Sequence, residues 1–285
     1  MRSPALRLLS CATLALFTTL APTLATASGP VMNEEVPFIT TPDNVTLEML
    51  RLAKVGAGDH VIDLGSGDGR IVITAARRFG ATGLGVEIVP DLVQRSIRAA
   101  WEAGVADKVE FREQDLFKTD LSPASVVTMY LLPEVNLALR PRLLELKPGT
   151  RVVSHDWDMG DWKPDQTTVV AVPDKVVGRE KSSKVHLWTV PARIDGLWCG
   201  SGLLGEFSLK LGQKYQEVQG TLTRRDRVRE VRGMMSGYTL EGQETRHGAL
   251  EATLEGAALR ITGGHGALSL LRGFVFSKAK GEACG

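Results

Sequence analysis

A glycine-rich loop lies between a buried apolar run and a helix-like segment in the first half of the chain. Residues 63–70 read Asp63-Leu64-Gly65-Ser66-Gly67-Asp68-Gly69-Arg70. Glycines at such a junction let the backbone turn sharply and come close to a ligand. The dinucleotide fingerprint needs a glycine where Arg70 stands, because its spacing is Gly-x-Gly-x-x-Gly. The loop therefore predicts a close ligand contact and disfavours a nicotinamide oxidoreductase.

Acidic residues follow the next two apolar runs. Glu87 ends residues 82–87, and Asp115 follows residues 108–113. The carboxyl ends of neighbouring parallel strands meet at one edge of a sheet, where open α/β sheets bind ligands. There Glu87 can accept hydrogen bonds from both hydroxyls of a ribose, and Asp115 from an adenine amino group. Ile88 and Leu116 are placed to cover the faces of the adenine ring.

Alternating strand and helix patterns position these residues. Strands are predicted at 60–64, 82–87, 108–113, 124–131, 151–156, 166–172 and 184–190, and helices at 41–54, 70–79, 90–103 and 133–144. This alternation indicates parallel βαβ units in a doubly wound, mostly parallel Rossmann-like α/β sheet. Thr41 and Pro42 are expected to begin the first helix as N-cap and first helical residue. No helix pattern separates the last two strands, which are expected to pair as a hairpin.

The sequence changes character near residue 192. Residues 193–285 are rich in glycine, and polar and apolar residues alternate there. Strands are predicted at 205–211, 215–222, 228–234, 248–254, 258–262 and 269–276. This spacing predicts a small antiparallel all-β domain, either a barrel or a sandwich. The expected organisation is an α/β domain over 35–190 followed by a β-rich domain over 193–285.

Taken together, the glycine loop, Glu87 and Asp115 resemble the class I, seven-stranded S-adenosylmethionine-dependent methyltransferases. The resemblance covers roughly residues 37–190. Within that superfamily the chain looks most like the ATP synthase c-subunit lysine methyltransferases and their bacterial relatives. The matching segments are 37–42 (PFITTP), 63–73 and 162–164 (WKP).

The resemblance implies a role for each residue of this edge and S-adenosyl-L-methionine as the cofactor. It implies that the methionine portion is held by Asp63, Gly65, Ser66, Gly67 and Gly69. Glu87 would bind the ribose, Asp115 the adenine, and the segment from Phe38 to Thr41 would close over the cofactor. A protein lysine or a small molecule would accept the methyl group, and no metal is expected.

The residues after the fourth and fifth strands are the candidates for the reacting end. Tyr130, Glu134 and Asn136 follow the fourth strand and are predicted to be catalytic, with His155 as an alternative base. Amide and adenine N-methyltransferases carry Asn/Asp-Pro-Pro-Tyr after the fourth strand. This chain has Tyr-Leu-Leu-Pro, which disfavours DNA bases and glutamine as acceptors.

The N-terminus has the three parts of a secretory signal peptide. Arg2 and Arg7 precede an apolar run over 8–24, and Ala25-Thr26-Ala27 is a small-x-small cleavage site. We expect residues 1–27 to be removed and the protein to be periplasmic or secreted. A retained membrane anchor is the less favoured reading, because the apolar run is shorter than a spanning helix needs. Cys199 and Cys284 would remain and are expected to form a disulfide in an oxidising compartment.

The composition limits the function classes. The formal net charge of the 285 residues is +1, so no overall basic field would hold nucleic acid, and none is expected as a partner. Two alternatives to protein-lysine methylation stay open. One is methylation of a small molecule. The other is an exported module that binds an adenosyl ligand without turnover, since S-adenosylmethionine is made in the cytoplasm.

Overall fold

Two β structures follow each other along the chain in a computed structural model that describes residues 39–176, 178–200 and 206–284. The first is a seven-stranded sheet with strand order β3-β2-β1-β4-β5-β7-β6. Its strands are β1 (His60–Leu64), β2 (Thr82–Glu87), β3 (Val109–Glu113), β4 (Val126–Met129), β5 (Arg151–His155), β6 (Gln166–Ala171) and β7 (Ser182–Thr189). Strands β1 to β5 are parallel, and β7 runs antiparallel to both β5 and β6. The predicted doubly wound sheet and its terminal hairpin are confirmed.

Four helices accompany this sheet: α1 (Asp43–Leu52), α2 (Arg70–Phe79), α3 (Pro90–Glu102) and α4 (Pro133–Leu143). Helix α2 packs closely on the sheet because β2 carries glycine where a side chain would collide. A Cβ at Gly83 would lie 2.7 Å from Val72 of α2 and 2.7 Å from the carbonyl oxygen of Val61. This close packing fixes the start of α2, and with it the end of the glycine loop.

The prediction that Thr41 is the N-cap of α1 is wrong. Pro42 occupies the N-cap position, the helix begins at Asp43, and no side chain caps it. The Thr41 hydroxyl instead lies 3.2 Å from Nδ1 of His155, on β5. A tertiary hydrogen bond has taken the place of the local one that the sequence favours.

The second structure is a closed antiparallel barrel of eight strands in the order β10-β11-β12-β13-β14-β15-β8-β9. The strands are β8 (Gly196–Gly200), β9 (Phe207–Lys214), β10 (Glu217–Arg224), β11 (Arg227–Ser236), β12 (Thr239–Gln243), β13 (Leu250–Glu255), β14 (Ala258–Gly264) and β15 (Val275–Lys278). The predicted all-β region is therefore a barrel and not a sandwich. Its interior is filled by apolar side chains, among them Trp198, Leu240 and Phe276, all essentially inaccessible to solvent.

Three details of the barrel differ from the sequence-based expectation. Strands β8 and β12 were not predicted, and the segment predicted as one strand over 269–276 is not one. Its first part belongs to a 3-10 helix at Gly266–Leu271, and only its end belongs to β15. The first predicted strand of this region began at Gly205, which lies outside the described residues.

The predicted disulfide between Cys199 and Cys284 is confirmed. The two Cα atoms are 5.5 Å apart, within the range that a disulfide spans. Cys199 lies on β8, which pairs with β15, and the chain reaches Cys284 soon after β15 ends. The bond therefore ties the end of the chain to the first strand of the barrel. No helix within the described ranges is long and apolar enough to cross a membrane.

Candidate active site

The glycine loop leaves the carboxyl end of β1 and enters α2 through three left-handed residues. Gly65, Gly67 and Gly69 have φ angles of +73°, +54° and +78°, a region that side chains other than glycine's rarely adopt. The amides of Gly65 and Ser66 both donate to the carbonyl of Val86 at 2.9 Å. The loop is therefore folded back against β2, as the sequence predicts for a backbone that must come close to a ligand.

Asp63 is a buried carboxyl group just before this loop. Its Oδ1 accepts a hydrogen bond of 2.7 Å from the hydroxyl of Thr128 on β4. Burial is the main cause that raises the pKa of Asp63 to about 7, and the nearby carboxylates of Asp68 and Glu87 add to it. A cationic group bound beside Asp63 would favour its charged form.

Glu87 joins the end of β2 to the glycine loop. Its Oε2 accepts from the amide of Gly67 at 3.0 Å, and its Oε1 accepts from the amides of Ile88 and Val89 at 2.8 and 3.0 Å. Three backbone donors hold the carboxylate in one orientation. A carboxylate has about four acceptor positions, so one remains for an outside donor.

Asp115 lies at the end of the next strand and completes this edge. The backbone connects the two acidic positions, since Gln114 donates to the carbonyl of Glu87 at 2.9 Å. Asp115 itself accepts from the amide of Phe117 at 2.8 Å. Leu116 is half-buried, whereas Ile88 is 65% exposed. The structure thus brings the predicted cofactor residues from Asp63 to Leu116 to one continuous edge of the sheet.

Thr41 connects the chain before α1 to both sides of this edge. Its hydroxyl contacts His155 as described above, and its carbonyl accepts from Arg70 Nη1 at 2.9 Å. Arg70 begins α2 directly after the glycine loop and is paired with Asp68. Thr41 is buried. Phe38, the other residue predicted to cover the cofactor, lies outside the described residues.

Tyr130 follows β4 and stacks on the ring of His155, with centroids 3.9 Å apart and an interplanar angle of 29°. Partial burial raises the pKa of Tyr130. His155 is fully buried, and its Nε2 lies 2.9 Å from the hydroxyl of Ser183 on β7. Burial lowers the pKa of His155 to about 4, so the ring is neutral at pH 7. With both ring nitrogens in hydrogen bonds, His155 supports Tyr130 and is poorly placed to act as a base.

The other two predicted catalytic residues lie on the first turn of α4. Glu134 is exposed, whereas Asn136 is fully buried. The side-chain nitrogen Nδ2 of Asn136 donates to Ser154 Oγ at 3.1 Å and to the carbonyl of Trp157 at 3.2 Å. Asn136 therefore holds the chain that follows β5. Catalytic roles for Tyr130, Glu134 and Asn136 remain predictions.

The acidic residues after β5 form pairs and not a metal site. Asp156 accepts from Lys175 Nζ at 2.7 Å, and Asp161 pairs with Arg140 and Lys214. In the part of the chain that the structure describes, no group of three or more His, Cys, Asp and Glu side chains could hold a metal ion.

Two hydroxyl residues that shape the site were not predicted from the sequence. Thr128 donates to Asp63, and Ser96 of α3 donates to the carbonyl of Gly67 at 2.9 Å. Thr128 lies inside an apolar strand run, where an occasional hydroxyl is ordinary. Ser96 and Gly67 are 29 residues apart, so no local pattern announces their contact.

The fold and this edge together define an S-adenosylmethionine-dependent methyltransferase domain. The model of the ANTKMT methyltransferase domain matches residues 63–166, which run from the end of β1 through β5 and include every described site residue from Asp63 to Asn136. A protein-lysine N-methyltransferase from Saccharolobus islandicus is 44% identical over 141 residues, which are 49% of this chain and 86% of that protein. The chain belongs to this ANTKMT-type methyltransferase family.

Two further proteins are similar over about half of the chain. The ATP synthase c-subunit lysine N-methyltransferase of Mus musculus is 36% identical over 134 residues, which are 47% of this chain and 53% of that protein. The crystal structure of an RNA methyltransferase from Salinibacter ruber, in complex with S-adenosyl-L-homocysteine, is 55% identical. The match covers 55% of this chain and 96% of the Salinibacter ruber chain, with a TM-score of 0.49.

The residues present fit S-adenosylmethionine. Ser66 Oγ is buried and has no hydrogen-bond partner among the described residues, and it lies where a Cβ at Gly85 would come within 2.7 Å of it. A buried orphan hydroxyl is rare in a folded protein, so an outside partner accounts for it well. The buried carboxyl of Asp63, the left-handed glycines and the free acceptor position of Glu87 suit the same ligand.

Proposed function

We propose that this protein transfers the methyl group of S-adenosylmethionine to the ε-amine of a protein lysine. The observation that carries the proposal is the 44% identity to a protein-lysine N-methyltransferase, over 86% of that protein's length. The stretch Tyr-Leu-Leu-Pro after β4 also supports an acceptor other than a DNA base or glutamine. When bound, S-adenosylmethionine supplies an electrophilic methyl group that a neutral amine can attack, with S-adenosylhomocysteine as the leaving group.

The chain's own residues would bind and orient the two partners. Asp63 and the glycine loop would hold the methionine portion, Glu87 the ribose and Asp115 the adenine. Tyr130 stands at the end of β4 with its ring fixed by His155, so its hydroxyl is a candidate to orient the incoming amine. Positioning of this kind is the main task in an in-line displacement, because misplacement of the reacting atoms slows it strongly.

We further propose that the protein acts outside the cytoplasm. The signal-peptide pattern of residues 1–27 supports this, and so does the Cys199–Cys284 bond, because disulfides persist in oxidising compartments. A thiol count on the unfolded, unreduced protein, purified from the compartment to which it is exported, tests the idea. No free thiol is expected. Two free thiols would place the protein in a reducing compartment.

Mass spectrometry of the exported proteome, with and without this protein, tests the acceptor. Lysine-containing peptides that carry added methyl groups only when the protein is present would support lysine methylation. Methylated small molecules without methylated lysine would favour the small-molecule alternative. Binding of S-adenosylmethionine with no methylated product of either kind would favour the binding module.

A further inference from the structure

The barrel has a filled interior, so any part that it plays in methyl transfer must come from its outer surface. The turn between β9 and β10 contacts the loop of residues 156–165, which leads from β5 to β6. This turn, Lys214-Tyr215-Gln216, is called the barrel turn below, and residues 156–165 are called the β5–β6 loop. The loop begins directly after His155, beside Tyr130.

Tyr215 is the centre of the contact. Its hydroxyl donates to Asp161 Oδ1 at 3.0 Å, and its ring stacks on the fully buried Trp162, with centroids 6.2 Å apart. The guanidinium of Arg140, from α4, lies 5.5 Å from the ring centroid of Tyr215 and also pairs with Asp161. Helix, loop and barrel thus share one aromatic and charged cluster.

Two neighbours of Tyr215 extend the contact along the β5–β6 loop. Lys214 Nζ lies 3.1 Å from Asp161 Oδ2, and the hydrogen bonds from Lys214 and Tyr215 lower the pKa of Asp161 to about 2. Gln216 is buried, and its side-chain nitrogen Nε2 donates to the carbonyl of Lys163 at 2.6 Å. All three residues of the barrel turn therefore bind the loop.

The backbone of Tyr215 belongs to a tight two-residue hairpin turn, Tyr215 and Gln216, between β9 and β10. Tyr215 has φ +54°, in the left-handed region that glycine and asparagine favour in turns. Two-residue hairpin turns commonly place a residue there, and Arg225, in the matching turn between β10 and β11, has φ +53°. The hairpin itself therefore accounts for this backbone, and the contacts described above hold the side chain of Tyr215.

The other end of the β5–β6 loop lies at the predicted reacting end. Asn136 binds the carbonyl of Trp157, and Arg140 binds the carbonyl of Met159 at 2.8 Å. Trp157 is 44% exposed, and its backbone amide donates to the carbonyl of His155, whose ring stacks on Tyr130, at 2.8 Å. An acceptor that reaches the carboxyl edge between β4 and β5 would meet this loop.

We propose that the C-terminal barrel is a brace for the β5–β6 loop, with Tyr215 as a positioning residue for the methyl acceptor. The proposal rests on the proposed function, because it concerns the acceptor side of the same site. It assigns the barrel a task in methyl transfer without any direct contact with the cofactor residues.

Hydrogen exchange measured by mass spectrometry on the full-length protein tests the brace without an acceptor. Tyr215→Ala should speed exchange in the peptide covering 156–165 by about tenfold or more, and leave the peptide covering 63–70 unchanged. Tyr215→Phe keeps the ring on Trp162 and should lie close to wild type. The matched control is Tyr238→Ala, since Tyr238 is another barrel tyrosine, 40% exposed and without a side-chain hydrogen bond to any described residue. Unchanged exchange in 156–165, or faster exchange throughout the sheet, would overturn the proposal.

The same variants give a kinetic readout with poly-L-lysine as the acceptor. Tyr215→Ala should lower kcat/KM for poly-L-lysine about tenfold or more, because the acceptor side loses its geometry, while the Kd for S-adenosylhomocysteine stays as in wild type. Tyr215→Phe should restore most of kcat/KM. A faster-exchanging loop with unaltered kcat/KM would contradict the brace. A wild-type protein that cannot methylate poly-L-lysine would count against the proposed function, and the exchange experiment would still decide on the brace.

Discussion

The hydroxyl of Thr41 lies 3.2 Å from Nδ1 of His155, 114 residues further along the chain. The contact joins the segment ahead of α1 to the end of β5, where the ring of His155 also supports Tyr130. The carbonyl of the same threonine is bound by Arg70, at the end of the glycine loop. The buried Thr41 therefore links three parts of the site. These are the segment before α1 that is expected to close over the cofactor, the glycine loop, and the end of β5 beside Tyr130.

Thr41→Val should weaken S-adenosylhomocysteine binding. The substitution keeps the shape of the side chain but removes the hydroxyl, and the net worth of such a hydrogen bond is about 1 kcal/mol, or about fivefold in Kd. Calorimetric titration measures the change. Thr41→Ser retains the hydroxyl and is the matched control, so it should bind nearly as wild type does. Equal affinities for Thr41→Val and wild type would show that the Thr41 hydroxyl does not contribute to cofactor binding.

Glu87→Ala should weaken S-adenosylmethionine binding by about 1–3 kcal/mol, since charge-assisted hydrogen bonds would be lost. The Gly67 amide would also lose its acceptor, so the glycine loop would be less well ordered. Equilibrium binding at a fixed pH provides the measurement. Glu113→Ala, at the exposed end of the neighbouring strand, is a suitable comparison. An unchanged affinity for Glu87→Ala would show that Glu87 is not part of the site.

The affinity for S-adenosylhomocysteine should depend on pH through Asp63. Its pKa is about 7 because burial favours the neutral acid, whereas the ammonium group of a bound methionine moiety favours the carboxylate. Binding should therefore tighten as the pH rises towards 7 and level off above it. Below that pKa each pH unit should weaken binding by up to about tenfold. Titrations from about pH 5.5 to 8 check the slope, and Asp63→Asn should abolish it. A slope that survives in Asp63→Asn would assign the titration to another group.

Tyr130→Phe should reduce turnover and leave cofactor affinity intact. The phenylalanine ring can still stack on His155, so only the hydroxyl is lost. If that hydroxyl orients the acceptor amine, kcat should fall by about tenfold or more. Steady-state kinetics with a lysine acceptor, together with cofactor titration, separate the two effects. If neither kcat nor affinity changes, the hydroxyl has no catalytic role.

Local patterns predicted the elements that carry the cofactor residues. The bounds predicted for β1, β2 and α2 agree with the structure, because a glycine follows β1 and α2, and Pro90 marks the start of the helix after β2. In the barrel the same reasoning was weaker. Strand β12 is short and contains a glycine, and the 3-10 helix at Gly266–Leu271 has an apolar composition that also suits a strand. Closure of the barrel supplies the pairing partners that these sequences do not indicate.

The links between parts of the site could not be predicted, because they join residues distant in sequence. Thr41 contacts His155 instead of capping α1, and Thr128 of β4 binds Asp63 of β1. Tyr215 binds Asp161 across the junction of sheet and barrel. Each depends on strand order and on the docking of the barrel, which no single segment encodes.

The most direct test of the account follows a labelled methyl group to its final atom. The full-length protein is incubated with S-adenosylmethionine that carries a labelled methyl group and with the protein fraction of the exported compartment, and the products are hydrolysed to amino acids. Label is expected in Nε-methylated lysine with the wild-type protein, and much less label with Glu87→Ala. Label in another amino acid or in a nucleoside, or binding of S-adenosylmethionine without any transfer, would contradict it.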